Sequence, residues 1–357
     1  MRYGSYPDLV QVKNILVIKL RHLGDVLLTS PVLTVLRRVF PSAEIDVYLY
    51  AEARPMLEGH PAINGWIEYD LQWKQGTGWQ RFWKEVALWR QIRKKHYDLV
   101  INLTEGDRGG IAARIAGAPI RVGFEPKGHW QKKFYTHLVK PCSGVRHTVE
   151  KNLDVLRKIG IFPNWEEREL FLHIPPSACH AMQARVGSEP FILIHPTSRW
   201  RFKCWPIAKM RECIIRLLAQ GKKIVLTSGP DQGEQEMASA IAQGLDVQVL
   251  AGQITLKELA ALILLSDLLV CVDSVPLHMA SALKKGVVAL FGPTSEVNWG
   301  PWRNPHARIV AEPLPCRPCY QDGCGGSKHS DCLHTLSVEK VLAAIETLEP
   351  AHFVHCK

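Results

Sequence analysis

The chain alternates short apolar runs with longer segments in which apolar residues recur every three or four positions. In the first half, the apolar runs "NILVIKL", "EIDVYLY", "WIEYD" and "DLVINL" predict buried β-strands. Segments between them, such as "SPVLTVLRRVF" and "FWKEVALWRQIRKKH", predict helices. Continuous apolar strands separated by helices are typical of a parallel sheet covered on both faces. We therefore expect an α/β fold.

The same alternation restarts in the second half. "FILIHP", "KIVLTSG", "VQVLAG", "LLVCVDS" and "VVALFGP" predict strands, and "WPIAKMRECIIRLLAQG" and "TLKELAALILLS" predict helices, the first stopped by Gly221. The segment "PPSACHAMQARVGSEP", residues 175–190, is rich in residues that break regular structure and is interpreted as an inter-domain connection. We predict an N-terminal domain over residues 1–176, a C-terminal domain over 187–335, and a last helix and tail over 336–357.

The net charge of the chain narrows the class of binding partner. The 357 residues carry a net charge of +10 at pH 7, which favours an acidic partner: nucleic acid, an anionic membrane surface or a phosphorylated substrate. The sequence contains no run of about 18 uncharged apolar residues, which a membrane-spanning helix would need. The segment "MRYGSYPDLVQVK" lacks the apolar run of a signal peptide. We expect a cytoplasmic protein whose ten cysteines are reduced or bound to metal.

Ligands of such sheets bind beyond the carboxyl ends of the strands, so the loops at these ends are candidate sites. Asp25 follows the first strand in "RHLGD". It has two interpretations: a helix N-cap, or a general base that faces a cleft.

Two loops of the second half suit a nucleotide. In "HPTSRWRFKCWP", the hydroxyls of Thr197 and Ser198 and the cation of Lys203 suit a diphosphate, although the loop also fits a solvated basic surface. In "LTSGPDQGEQE", Glu234 can bind ribose hydroxyls. Its alternative role is to complement the dipole of the following helix.

The segment "LLVCVDSVPLHMASAL" is the sharpest signal. An apolar strand ends at Asp273-Ser274 and a helix begins near Pro276, so the backbone N–H groups at that start would face a phosphate. Asp273 can bind sugar hydroxyls, and His278 can contact the ligand or be a satisfied buried histidine. The next loop, "LFGPTSEVNWGPWRNP", is expected to wall the same site.

"CRPCYQDGCGGSKHSDCLH" concentrates cysteines in a Gly-rich loop. Its first pair has the C-x-x-C spacing that suits zinc, whereas the second pair is spaced more loosely than in a zinc ribbon. Two interpretations stay open: a structural zinc site, or reduced loop cysteines. Both concern Cys316, Cys319, Cys324 and Cys332.

Together, the "RHLGD…P" opening, the "PTSRWRFKCWP" loop and the "VDSVPLHMA…LFGPT" block resemble the ADP-heptose:lipopolysaccharide heptosyltransferases of glycosyltransferase family 9, most of all the heptosyltransferase III type. The resemblance covers nearly the whole chain. It implies a GT-B fold, with two facing Rossmann-like domains and an active site in the cleft. The N-terminal domain would take the acceptor and the C-terminal domain the ADP-sugar, and the last helix would pack back on the N-terminal domain.

The resemblance also implies residue roles. Asp25 would be the catalytic base of an inverting displacement, and Lys203 would stabilise the departing ADP without a required metal. The implied donor-binding residues are Thr197, Ser198 and Lys203 at the diphosphate, Glu234 at the ribose, Ile254 beside adenine, and Asp273, Ser274 and His278 over the sugar and phosphates. Many family members have Gly or Ala where this chain has Val275, whose larger side chain would crowd the diphosphate unless its N–H points inward.

The implied reaction moves heptose from ADP-L-glycero-β-D-manno-heptose to the inner core of lipopolysaccharide, at the inner face of the cytoplasmic membrane of a Gram-negative cell. Within the family, the alternatives are a heptosyltransferase II or a transferase with another donor or acceptor. We expect basic residues to receive the anionic acceptor or to face the membrane, the alternative being an ordinary solvated face. These residues are Arg108, Arg121, Lys127, Lys132 and Lys133.

Two other classes compete with this interpretation. A basic nucleic-acid-binding protein with a zinc loop would need a recognised binding module, and the sequence contains none. A nicotinamide-dependent oxidoreductase would need G-x-G-x-x-G after a strand, where this chain has "RHLGD". We therefore expect a transferase with no nucleic-acid partner.

Overall fold

The computed structural model describes residues 6–75, 77–141 and 144–348. Contacts within the chain divide it into an N-terminal unit, Met1–His173, and a C-terminal unit, Ile174–Lys357. Each unit is built around its own parallel β-sheet of six strands.

The N-terminal unit alternates strands and helices from its first strand onward. Its strands are β1 (Asn14–Lys19), β2 (Glu44–Tyr50), β3 (Gly65–Tyr69), β4 (Leu99–Asn102), β5 (Ile120–Phe124) and β6 (His137–Val139). Its helices are α1 (Leu23–Leu27), α2 (Ser30–Val39), α3 (Gly78–Lys94), α4 (Asp107–Ala116) and α5 (Thr148–Arg157).

The N-terminal sheet has the strand order β3-β2-β1-β4-β5-β6. In register, Ile15 of β1 lies opposite Ile45 of β2 and Leu99 of β4. Because later strands are added first on one side of β1 and then on the other, the order reverses between β1 and β4. Such a reversal opens a crevice at the carboxyl ends of the two strands, and Asp25 lies just beyond β1.

The C-terminal unit repeats this plan. Its strands are β7 (Ile192–His195), β8 (Ile224–Leu226), β9 (Gln248–Val249), β10 (Leu268–Val272), β11 (Val287–Phe291) and β12 (Ala307–Ala311). Its helices are α6 (Pro176–Val186), α7 (Ile207–Ala219), α8 (Gln232–Ala242), α9 (Leu256–Leu265), α10 (Val275–Ala282), α11 (Glu296–Trp299), α12 (Asp331–His334) and α13 (Val338–Glu346). The order β9-β8-β7-β10-β11-β12 places its reversal between β7 and β10.

The apolar runs predicted nine of these strands correctly, and Gly221 follows α7 in the left-handed conformation expected of a helix stop. Segment 175–190 was interpreted wrongly, since it contains helix α6, which packs against α9. Pro175 and Pro176 occupy the N-cap and first helical positions, where the N–H that proline lacks has no partner within the helix. Gly187, with φ 79°, then ends the helix.

The final helix, α13, belongs to the C-terminal core. Val338, Val341 and Ile345 are buried among residues of the C-terminal sheet and its helices, and α13 contacts α7, β11 and β12. The expected helix after residue 336 is present, and its apolar face is covered within its own unit. Its packing on the N-terminal domain stays a prediction. Residues 349–357 of the predicted tail lie outside the described residues.

Across the described ranges, no helix combines the length and the apolar character needed to cross a membrane.

His60 is a buried histidine of the N-terminal unit. Its Nδ1 atom accepts a hydrogen bond from the Ala62 backbone N–H at 3.1 Å, and its ring lies edge-on to Phe171 with ring centres 4.7 Å apart. Burial lowers the pKa of His60 to about 4. A proton on Nδ1 would also compete with the Ala62 hydrogen bond.

We expect the free energy of unfolding to fall as the pH drops from 6.5 towards 4, because the unfolded chain binds a proton at this histidine and the native chain does not. At pH 5 the loss from this one group is about 2 kcal/mol. The variant His60→Gln should lose less stability between pH 7 and pH 5 than the wild type, measured by urea unfolding. His129→Gln, at an exposed position of the same unit, is the control. Equal losses in wild type and His60→Gln would contradict the assignment.

Candidate active site

Asp25 lies in the first turn of α1, immediately after β1. The N-cap of this helix is His22, so the N-cap interpretation of Asp25 is wrong: its side chain caps nothing. The charge still lies where the helix dipole favours an anion. The side chain is half-buried, and within the described ranges its carboxylate forms no hydrogen bond or ion pair. It is therefore available to a substrate.

Lys19, the last residue of β1, is a buried cation beside Asp25. Its Nζ atom donates to the backbone oxygen of Leu103 at 3.0 Å and lies 3.4 Å from Oδ1 of Asn152. Burial lowers the pKa of Lys19 to about 8, and the nearby Asp25 carboxylate opposes that lowering. Asn152 also donates to the backbone oxygen of Leu28 at 3.0 Å, which ties α5 to the end of α1. The position of α1 is thus fixed by buried polar contacts.

In the C-terminal unit, three strand-end loops meet on one carboxylate. Lys203 follows β7, Asp273 follows β10 and Thr294 follows β11. The Lys203 Nζ atom lies 2.7 Å from Oδ2 of Asp273, and the Thr294 hydroxyl donates to the same oxygen at 2.7 Å. Asp273 is only 5% exposed. Since removing one partner of a buried ion pair leaves a charge uncompensated, Asp273 holds Lys203 in place.

Thr197 presents a hydroxyl that the fold does not use. The residue is fully buried in the loop after β7, and its Oγ1 atom has no hydrogen-bond partner in the described part of the chain. A buried unsatisfied hydroxyl costs about 1–3 kcal/mol. The neighbouring Ser198 Oγ atom accepts the Trp200 backbone N–H at 3.4 Å. Among the described residues, the Thr197 hydroxyl of this loop therefore has no hydrogen-bond partner, whereas the Ser198 hydroxyl has a weak one.

Glu234 and Ile254 lie at the ends of the next two strands. Glu234 is in the first turn of α8, after β8, and its Oε2 atom accepts the Gly229 backbone N–H at 3.3 Å. Ile254 is half-buried in the loop after β9, immediately before Thr255, the N-cap of α9. Asp231, not Glu234, caps α8.

These positions follow the order of the strands. The loops after β10 and β7, β8 and β9 come one after another along the sheet edge, and neighbouring strands are about 5 Å apart. The predicted phosphate, ribose and adenine contacts occur in this same order. The edge can therefore accommodate an extended nucleoside diphosphate.

Helix α10 begins as expected, with Ser274 as N-cap and proline at its second residue. The Ser274 hydroxyl donates to the Val272 backbone oxygen at 3.2 Å and does not cap the helix. Val275 is the first helical residue and is half-buried, and His278 is buried in the same turn. The backbone N–H groups of the first turn thus receive no side-chain cap, which suits an anion.

The predicted acceptor residues separate into two groups. Arg121 donates to the backbone oxygens of Phe134 and Ala118, and Lys132 pairs with Glu125 at 2.5 Å. Arg108 lies over the Tyr69 ring, 3.9 Å from its centre, and contacts Glu85. These three side chains have structural contacts that the sequence did not indicate. Lys127 and Lys133 are exposed and form no ion pair among the described residues.

The four cysteines of the Gly-rich loop are all free thiols. Within the described ranges, no three His, Cys, Asp or Glu side chains are grouped so that they could hold a metal ion. Cys316 and Cys324 are exposed and Cys332 is buried, and burial raises the pKa of the Cys332 thiol to about 11. The arrangement favours reduced thiols, and the zinc site stays a prediction.

Comparison with known proteins decides the family. The model of "Glycosyltransferase family 9 (heptosyltransferase)" matches residues 85–329. A protein named lipopolysaccharide heptosyltransferase 3, from Escherichia coli, is 33% identical over 344 residues, which cover 93% of this chain and 98% of the relative. The chain belongs to glycosyltransferase family 9. The predicted family and enzyme class, a glycosyltransferase, are confirmed.

Solved structures agree on the fold. A family 9 glycosyltransferase from Veillonella parvula superposes with a TM-score of 0.78 at 25% identity, covering 94% of this chain and 97% of that one. The ADP-heptose lipopolysaccharide heptosyltransferase II of E. coli has a TM-score of 0.76 at 22% identity, covering 94% and 98%. The predicted α/β class and GT-B fold of this family 9 chain are confirmed.

Sequence reasoning missed two functional candidates. Lys19 had a signal, because it is the one charged residue in the apolar run "NILVIKL". Thr294 lies in the loop that was expected to wall the site, but the contact of its hydroxyl with Asp273 joins residues 21 positions apart and has no local signal.

Thr197→Val should separate folding from binding. Because the hydroxyl has no partner in the described part of the chain, its removal should leave the free energy of unfolding unchanged or raise it by about 1 kcal/mol. ADP affinity should fall about tenfold through the loss of one hydrogen bond. Urea unfolding and calorimetric titration with ADP measure the two effects. Unchanged ADP affinity would show that Thr197 does not contact the nucleotide.

Proposed function

We propose that this family 9 enzyme transfers heptose from ADP-heptose to the inner core of lipopolysaccharide, as a heptosyltransferase of type 3. The observation that carries the proposal is the similarity over 93% of the chain to a protein named lipopolysaccharide heptosyltransferase 3. The geometry of the strand-end loops supports the reaction class.

The ADP part of the donor is assigned to the C-terminal unit. Lys203, held on Asp273, supplies a fixed positive charge for the diphosphate, and the hydroxyl of Thr197 supplies a buried hydrogen-bonding partner. The start of α10 adds backbone N–H groups. Glu234 binds the ribose hydroxyls, and Ile254 lies beside adenine.

Asp25 acts as the general base in this proposal. Its carboxylate takes the proton of the acceptor hydroxyl while that oxygen attacks the anomeric carbon of the heptose. The bond from that carbon to the phosphate oxygen breaks, and its electron pair leaves with ADP. Attack on the opposite face inverts the anomeric configuration. Lys203 stabilises the charge that develops on the departing ADP, so the proposed step requires no metal.

Lys19 supports Asp25 through charge. The buried Lys19 ammonium interacts electrostatically with the Asp25 carboxylate, so the two opposite charges attract each other. The hydrogen bonds of Lys19 go to uncharged oxygens, so the cation does not tie up the carboxylate.

The acceptor is assigned to the N-terminal unit. Inner-core lipopolysaccharide carries carboxylates and phosphates, and Lys127 and Lys133 are the exposed members of the predicted basic group. The lipid-linked acceptor places the proposed reaction in the cytoplasm, at the inner face of the cytoplasmic membrane.

Asp25→Asn tests the base. Loss of a general base lowers rates by about 10²–10⁴-fold, so acceptor-dependent ADP release from ADP-heptose should fall by at least about 100-fold. ADP affinity should be unchanged, because Asp25 belongs to the N-terminal unit and the ADP contacts to the C-terminal unit. The control is Glu105→Gln, which changes an exposed carboxylate beyond the neighbouring strand β4. ADP release is measured with and without truncated core lipopolysaccharide.

Two outcomes would overturn different parts of the proposal. Wild-type release by Asp25→Asn would remove Asp25 as the base and leave the donor and acceptor intact. Absence of release by the wild type with every core acceptor would reject the donor–acceptor pair.

A further inference from the structure

The first two turns of α3 carry an exposed aromatic cluster. Trp79, Phe82 and Trp83 are 68%, 50% and 46% exposed. Their ring centres lie 5.5–6.0 Å apart, with Trp79 and Phe82 stacked and Trp83 edge-on to both. Every residue from Thr77 to Lys84 is exposed, so the cluster stands on a projecting end of the helix rather than in a groove.

The cluster is presented rigidly. Thr77 and Gln80 form a capping box, in which each side chain accepts the backbone N–H of the other residue. Further along the helix, Leu88 and Ile92 are buried and pack the opposite face of the helix against the core. The aromatic residues occur at positions i, i+3 and i+4, which share one face of a helix.

Basic residues continue the same face. Arg90 and Lys94 follow Trp83 by seven and eleven positions, which returns each to the same side of a helix with 3.6 residues per turn. Both are exposed, and neither forms an ion pair within the described ranges. The one acidic residue of α3, Glu85, is half-buried and contacts Arg81, Arg108 and the Tyr69 hydroxyl. The solvent-facing charge of α3 is therefore positive.

We propose that this face of α3, formed by Trp79, Phe82, Trp83, Arg90 and Lys94, docks the enzyme on the surface of an anionic lipid bilayer. Tryptophan and phenylalanine rings partition into the boundary between lipid headgroups and acyl chains, and arginine and lysine pair with anionic headgroups. A single helix face that combines the two suits a helix lying in that boundary.

The shape of the site argues for a lipid surface over a sugar. Aromatic rings also stack on sugars, but small-ligand sites are concave, and this cluster projects from the end of a helix. The positive charge of the face complements anionic lipids. The inference rests on the proposed function for the identity of the membrane, and its test requires neither donor nor acceptor.

Flotation with lipid vesicles tests the docking face. The probes are vesicles of phosphatidylcholine alone and of phosphatidylcholine mixed with phosphatidylglycerol, without lipopolysaccharide. Wild type should bind the mixed vesicles, more weakly at high salt. Trp79→Ala/Phe82→Ala/Trp83→Ala should weaken binding at least about tenfold. Arg90→Gln/Lys94→Gln should remove most of the preference for anionic vesicles.

Trp165→Ala is the matched control, because Trp165 is 62% exposed in the same unit and lies outside α3, at the start of the short 3₁₀ helix Glu166–Arg168. It should bind vesicles like the wild type. Trp79→Gln, a single uncharged change at the most exposed of the three rings, repeats the test if the triple variant does not fold. Circular dichroism and thermal melting check folding.

Wild-type vesicle binding by the triple variant or by Trp79→Gln would overturn the proposal. Normal vesicle binding together with slower transfer to a lipid-free core oligosaccharide would identify the cluster as a sugar platform instead. Vesicle binding by the wild type without any heptose transfer would reject the proposed function and keep the docking face.

Discussion

Two hydrogen-bond donors, the Lys203 ammonium and the Thr294 hydroxyl, share one carboxylate oxygen of Asp273 at 2.7 Å each. This contact joins the loops after three strands of the C-terminal sheet. Because Asp273 is buried, its charge needs a partner. Among the described residues, the partners that these loops bring to Oδ2 are the Lys203 ammonium and the Thr294 hydroxyl. The fold thus holds the Lys203 ammonium at the reversal of the strand order through its own contacts.

The two units share one strand order but differ in how a lysine contacts a nearby carboxylate. Both have the same strand order. Each also has a lysine near a carboxylate that follows a strand at the reversal, Lys19 near Asp25 after β1 and Lys203 with Asp273 after β10. In the C-terminal unit the lysine pairs directly with Asp273. In the N-terminal unit Lys19 donates to the oxygens of Leu103 and Asn152, and the Asp25 carboxylate has no partner in the described ranges. This difference leaves the Asp273 carboxylate bound to a cation, and it supports the proposed role of Asp25 as the base.

The sequence predicted what depends on burial along the chain and missed what depends on distant contacts. The β1 and β10 runs were recognisable because both faces are buried, whereas the edge strand β6 is only half-buried and gave no apolar signal. Asp25 and Thr197 were found because each follows an apolar strand. The pairing of Lys203 with Asp273 joins residues 70 positions apart, and no local pattern encodes it.

The most direct test of the account is the product itself. Purified enzyme is incubated with ADP-heptose and truncated core lipopolysaccharide, and the acceptor is then examined by mass spectrometry and NMR. The account predicts that the acceptor gains one heptose residue, with the anomeric configuration opposite to that in the donor. An unmodified acceptor, or a heptose linked with retained configuration, would contradict it.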